Sequence, residues 1–187
     1  IEERDRPGVP PEEFLPFSPN DRGVPPMPSF GEGYHTLYSL NPHDEAGNIN
    51  WDPDVYENMY ERVLGKVQDN LDDISIVEGQ FTDDADTILV AYGSEFRPAM
   101  DATLRARDEG MRVGVLKLGT VWPVPKRELV EASEAADTII SVEMNVGKYT
   151  REVERVCAPR AKVTAVTKNR GSIHTAGEIY TAIQEVL

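Results

Sequence analysis

Several short stretches of this 187-residue chain carry side chains able to do chemistry. Gly93-Ser94-Glu95-Phe96-Arg97 sets a glycine, a hydroxyl and a guanidinium at what reads as the entry to a helix, a combination that can hold a carboxylate or phosphate on backbone N–H groups. It lacks the three glycines that let a backbone approach a pyrophosphate, and Glu95 would repel one, so a dinucleotide site is not expected. A helix cap plus a surface arginine accounts for the same residues equally well. Glu143 and Asn145 pair a carboxylate with an amide, able to fix a ligand or a partner's backbone, or to hold the chain's own loops. His43-Asp44-Glu45 has metal-ligand chemistry but neither paired helical spacing nor a third ligand, which favours a polar turn. His174, a lone histidine before Thr175, is expected as a loop or interface residue rather than a base. Cys157 is the single cysteine; it excludes an intrachain disulfide and a self-contained iron–sulfur cluster, and no neighbouring His or Lys activates it, so it reads as buried packing. With no Ser-His-Asp, Cys-His or P-loop pattern, no catalytic, cofactor or metal residue is expected in the chain. The candidate interface or anion site is Gly93, Ser94, Arg97, Glu143 and Asn145.

The elements that must position these residues alternate from Thr87 onward. Thr87 to Tyr92 is a short apolar run ending at Gly93, and a helical segment runs from Phe96 to Glu109 with Gly110 as its C-cap. Pro98 fits only a first helical turn, so that helix begins near Ser94 or Glu95. Further strands follow at Arg112 to Leu118, Thr138 to Val142 and Lys162 to Thr167. The first two of these are separated by a helix from about Pro125 to Ala136, and a helix bearing Tyr149, Val153, Val156 and Cys157 follows Gly147. Thr175 and Glu178 form a capping box for a last helix whose Ile179, Ala182, Ile183, Val186 and Leu187 face the core. The pattern predicts an α/β fold: an open, mostly parallel sheet with helices on both faces, whose ligands or partners sit at the strands' C-terminal ends. Every polar outlier of this half falls on that edge.

The first half is different in kind. Residues 1 to 86 hold 20 acidic against 5 basic side chains, a net charge of −15, whereas residues 87 to 187 hold 13 against 14, net +1. A phosphate backbone would be repelled by the first half and finds no basic stripe in the second, so nucleic acid is not an expected partner. No apolar run approaches the roughly 20 residues of a membrane span, and the opening IEERDRPGVP shows no signal peptide. A cytoplasmic chain, cut from a longer one, fits these features. Eight of the 14 prolines fall in residues 1 to 28, which predicts an extended arm lying on another surface through Phe14, Leu15, Phe17, Met27 and Phe30. Gly31 to Leu40 alternates weakly, as an edge strand would, and a turn follows. Asp52 and Pro53 then start a helix with Val55, Met59, Val63, Val67 and Leu71 in one apolar stripe. The expected organisation is an acidic arm (1–50), a linker helix and connection (51–86) and the α/β domain (87–187).

Taken together, Tyr92-Gly93-Ser94-x-x-Arg97, Trp122-Pro123-Val124-Pro125, Glu143-Met144-Asn145-Val146-Gly147, Arg151-Glu152-Val153-Glu154-Arg155 and Ile173-His174-Thr175 are recognisable. The chain resembles the C-terminal half of the α subunit of 2-oxoacid:ferredoxin oxidoreductases, nearest to the 2-oxoglutarate type. The likeness extends to Phe30-Gly31-Glu32-Gly33-Tyr34, His43-Asp44-Glu45-Ala46-Gly47 and Asp52-Pro53-Asp54; it departs at Val124 and Lys148, where the family usually has Phe and Gln. The resemblance implies a transketolase C-terminal-like domain without its own active centre. Thiamine diphosphate, with Mg, would lie between the preceding α domain and the β subunit, iron–sulfur clusters would be carried elsewhere, and ferredoxin and CoA would be met through the complex. A free-standing α/β module binding a small anion at the strand ends is the alternative.

Overall fold

The computed structural model describes residues 3–38 and 40–187. Ile1 and Glu2 of the expected arm, and Ser39 of the expected edge strand, lie outside the described residues. The chain forms two compact units, Ile1–Leu71 and Asp72–Leu187.

In the second unit the apolar runs become β2 (Thr87–Tyr92), β3 (Val113–Leu118), β4 (Thr138–Glu143) and β5 (Lys162–Thr167), all parallel, in the order β3-β2-β4-β5. A fifth strand absent from the sequence reading, β1 (Val77–Gln80), pairs antiparallel on the outer side of β3, from Val77 opposite Leu118 to Gln80 opposite Val115. Side chains of a strand alternate between faces, and both faces here are covered, which is why β2 and β4 read as continuous apolar runs. Ile88, Val90 and Ile139 face α4 (Lys126–Ala135) and α5 (Thr150–Cys157) through Leu129, Ala132, Val153, Val156 and Cys157. Leu89, Ala91, Ile140 and Val142 face α3 (Phe96–Asp108) and α6 (Ala176–Val186) through Ala99, Ala102, Ala106, Ile179 and Ile183. Gly110 ends α3 at φ +83°, a backbone that an L side chain rarely adopts. The Thr175–Glu178 capping box is formed, and Cys157 is fully buried. Leu187, expected on the core face of α6, is exposed.

The first unit has little core. Asp52 caps α1 (Pro53–Gln68) through the Asp54 N–H at 3.0 Å, with Pro53 in the first turn, and a single turn α2 (Leu71–Ile74) follows. No residue of α1 is fully buried; Val55, Met59 and Val67 of its stripe are half-buried and Val63 is exposed. The Pro-rich arm rests on the segment that follows it: Phe14 packs edge-on against Tyr34 (centroids 5.1 Å), and Phe17 against Tyr38 (5.9 Å) and His43 (3.9 Å). The expected edge strand at Gly31 to Leu40 is not formed among the described residues. Gly31 and Gly33 sit at φ +85° and +86°, incompatible with a pleated strand. The polar turn at His43-Asp44-Glu45 is present, closed by Asp44 N–H to Asn48 O (3.0 Å) and Gly47 N–H to Asp44 O (3.0 Å).

Candidate functional site

Strand order fixes where a ligand would go. The connection after β2 runs outward to β3, while that after β4 runs the other way to β5, so the C-terminal ends of β2 and β4 form the topological switch point. In sheets of this kind that crevice is the usual ligand site. Here the chain fills it. Glu143, the last residue of β4, is fully buried and accepts the N–H of Tyr149 (3.0 Å) and of Thr150 (2.9 Å), the Asn145 amide (2.6 Å), the Tyr92 hydroxyl (3.2 Å) and the Thr150 hydroxyl. Asn145 also donates to Tyr92 Oη (3.0 Å) and accepts the Lys148 N–H (2.8 Å). Gly147 at φ +82° allows the turn that brings α5 back onto Glu143. A helix N-terminus is an anion site, and the N-terminus of α5 already holds this carboxylate. Burial alone would push the Glu143 carboxyl up; the Thr150 hydroxyl and N–H, the Tyr149 N–H and the Asn145 amide outweigh it and hold it below its ordinary value. Burial, followed by the Glu143 charge, pushes the Tyr92 hydroxyl up. Tyr149 packs edge-on against Tyr92 at 5.3 Å; its hydroxyl is buried without a partner, and burial raises its pKa.

A second buried carboxylate lies at the same sheet edge. Glu95, in the 3-10 turn Gly93–Glu95 that leads into α3, is 2% exposed, and His174, from the loop after β5, is 4% exposed. His174 Nδ1 is 2.8 Å from Glu95 Oε2, and the His174 backbone N–H donates to Oε1 at 3.3 Å. A carboxylate oxygen accepts, so Nδ1 carries the proton in this arrangement. The pair ties the β2 and β5 ends together across the switch point. His174 is a loop residue, as expected, but it is buried and partnered rather than free.

Of the five candidate residues, Glu143 and Asn145 are brought together with Tyr92, whereas Gly93, Ser94 and Arg97 lie exposed at the start of α3. Neither Ser94 nor Glu95 makes a side-chain cap, and Arg97 has no ion pair among the described residues. The groups the resemblance implies find no fit at the switch point among the described residues. At the start of α5 a diphosphate would need the N–H groups that Glu143 occupies. An iron–sulfur cluster would need thiolates, while the Cys157 thiol is buried, held protonated by that burial, and directed at Leu129 O (3.4 Å). Among the described residues no group of three or more His, Cys, Asp or Glu is placed to hold a metal ion.

The open, mostly parallel sheet with helices on both faces is an α/β fold shared with a split-gene transketolase, which superposes with a TM-score of 0.50 over 58% of this chain and 40% of that chain, at 21% identity. Residues 85–179, just over half the sequence, match pyruvate:ferredoxin oxidoreductase core domain II, and the chain belongs to that family. The 2-oxoglutarate synthase subunit KorA of Methanothermobacter thermautotrophicus is 40% identical over 184 residues, 98% of this chain and 49% of that protein. KorA of Methanocaldococcus jannaschii is 35% identical over 165 residues, 88% of this chain and 44% of that protein. The chain thus spans about half the length of these curated relatives. A 2-oxoglutarate:ferredoxin oxidoreductase from Magnetococcus marinus, solved with 2-oxoglutarate, coenzyme A and succinyl-CoA bound, shares the fold with a TM-score of 0.81 over 99% of this chain and 32% of that one, at 20% identity.

Proposed function

We propose that the chain is a structural and assembly part of the α subunit of a thiamine-dependent 2-oxoacid:ferredoxin oxidoreductase of the 2-oxoglutarate type, and that the active centre lies in other parts of the complex. The whole enzyme would convert a 2-oxoacid and CoA to an acyl-CoA and CO2, passing the two electrons released to ferredoxin one at a time. The observation that carries this reading is the 40% identity over 98% of the chain to a 2-oxoglutarate synthase subunit of which it covers only 49%. The filled switch point supports it, because a sheet whose ligand crevice is occupied by its own carboxylate contributes surface rather than a site. Thiamine diphosphate, Mg and the clusters would be bound by the thiamine-binding α domain, the β subunit and their partners, in the cytoplasm. No described helix is long and apolar enough to cross a membrane. Ser94 and Arg97, exposed and unpaired among the described residues, favour, as second reading, a module that holds a small anion at the start of α3. Reconstitution tests the choice. The chain should be inactive alone and should restore 2-oxoglutarate- and CoA-dependent reduction of ferredoxin when combined with the thiamine-binding part and the β subunit. Failure to restore it, with tight binding of phosphate to the lone chain, would favour the module.

A further inference from the structure

The loops and first helical turns after the four parallel strands have a charge bias opposite to that of the chain, whose net charge is −14. Arg97, Lys126, Lys148, Arg151 and Arg170 are all exposed there, and none has an ion pair among the described residues. Every carboxylate in the same stretches is engaged internally. Glu143 is held by the start of α5 and Glu95 by His174, while Glu128 meets Arg127 (2.8 Å), Glu152 meets Arg155 (2.7 Å) and Glu178 meets Lys168 (2.9 Å). Among these cations stand exposed apolar side chains from the loops after β3, β4 and β5: Val121, Trp122, Met144, Val146 and Ile173. Trp122, which precedes a cis Pro123, is 66% exposed. The crevice between β2 and β4 is filled by Glu143 and its partners, so a small ligand meets a surface there rather than a pocket.

We propose that this strand-end edge is the docking surface for an acidic protein surface with an apolar centre, carried by the thiamine-binding part of the same oxidoreductase; the proposal rests on the function given above. Protein interfaces combine an apolar, aromatic-rich centre with a charged rim, and residues such as Trp122 dominate their affinity. Unpaired cations on an otherwise acidic chain select an acidic partner, speed the encounter and repel the same cationic edge of a second copy.

The experiment measures binding of the chain to the thiamine-binding part, by titration calorimetry and by assembly of the reconstituted complex. Combined reversal Arg97→Glu, Lys148→Glu and Arg151→Glu should weaken binding on the order of 100-fold at about 0.05 M salt, and less at about 0.5 M, where screening shortens the reach of each charge. Trp122→Ala should weaken it about 10-fold at both salts. Lys162→Glu, at the opposite end of β5, should change nothing. Circular dichroism checks folding; should the triple variant not fold, Lys148→Glu and Trp122→Ala decide alone. Edge variants that bind like the wild type would overturn the proposal and leave the assembly function standing. A wild-type chain that does not bind the thiamine-binding part would overturn both. Self-association through this edge, seen as a doubled mass that the reversal abolishes, would replace the partner with a second copy and overturn the proposal as well.

Discussion

The two units hold their shape by different means. In Asp72–Leu187 the sheet is buried on both faces, with Ile88, Leu89, Ile139 and Ile140 wholly inaccessible. In the first unit Phe14, Pro16 and Pro42 are the buried apolar side chains among the described residues, and order comes from aromatic edges, turns and surface pairs such as Arg6–Glu32 (3.1 Å). That pair is more than two-fifths exposed on both sides and adds little. Apolar burial at roughly 25 cal/mol per Å² therefore supports the second unit far more than the first. Within the second unit, the same rigidity lets two buried carboxylates, Glu95 and Glu143, lock the strand ends.

The largest expected effect lies at Glu143. Replacement by Ala leaves the N–H groups of Tyr149 and Thr150 and the Tyr92 hydroxyl without this acceptor, removes one of the two acceptors of the Asn145 amide, and should cost about 3 to 5 kcal/mol in urea unfolding of the second unit. A loss below about 1 kcal/mol would show that the network is incidental. Leu129→Ala, in the core over β2 and β4, should cost about 2 to 5 kcal/mol. Phe14→Ala should leave that unfolding transition unchanged while raising hydrogen exchange in residues 9–45, so a shared transition would break the contrast between units. Acidity sharpens it further. The Glu143 carboxyl is held below its ordinary value of 4.5 in the folded chain, so its contribution is complete above the unfolded pKa and is lost as pH falls through the folded one. Stability of the wild type should fall below about pH 4.5, with a flatter profile in Glu143→Gln. The smallest effect is at the start of α6. Thr175→Ala should cost about 1 kcal/mol. The Glu178 carboxyl, pulled down to about 2 by the Thr175 N–H and then by Lys168, should keep supporting that cap until pH falls through about 2.

The sheet was legible because β2, β3 and β4 are buried on both sides and the helices of that unit carry ordinary end signals, such as Gly110 and the Thr175–Glu178 box. β1 was not, because Val77-Glu78-Gly79-Gln80 has one apolar residue and owes its form to pairing with β3 rather than to burial. The false strand at Gly31 to Leu40 came from alternation without regard to its two glycines, which take up left-handed backbone. At the candidate site, the closeness of Glu143 and Asn145 was visible, but not that five donors converge on the carboxylate. Glu95 and His174 are 79 residues apart, and no local pattern joins them. One signal was available: Glu95 lies in register with Ala99, Ala102 and Ala106, the face that α3 turns to the core, so a carboxylate there needed a buried partner.

We propose that this chain builds and joins an enzyme whose cofactor sits elsewhere, a reading supported by the closure of the switch-point crevice by Glu143 and its donors. Titration of thiamine diphosphate with Mg into the purified 187-residue chain, followed by calorimetry, tests it directly. The account predicts no binding heat up to millimolar ligand. Saturable binding at micromolar concentration would contradict it.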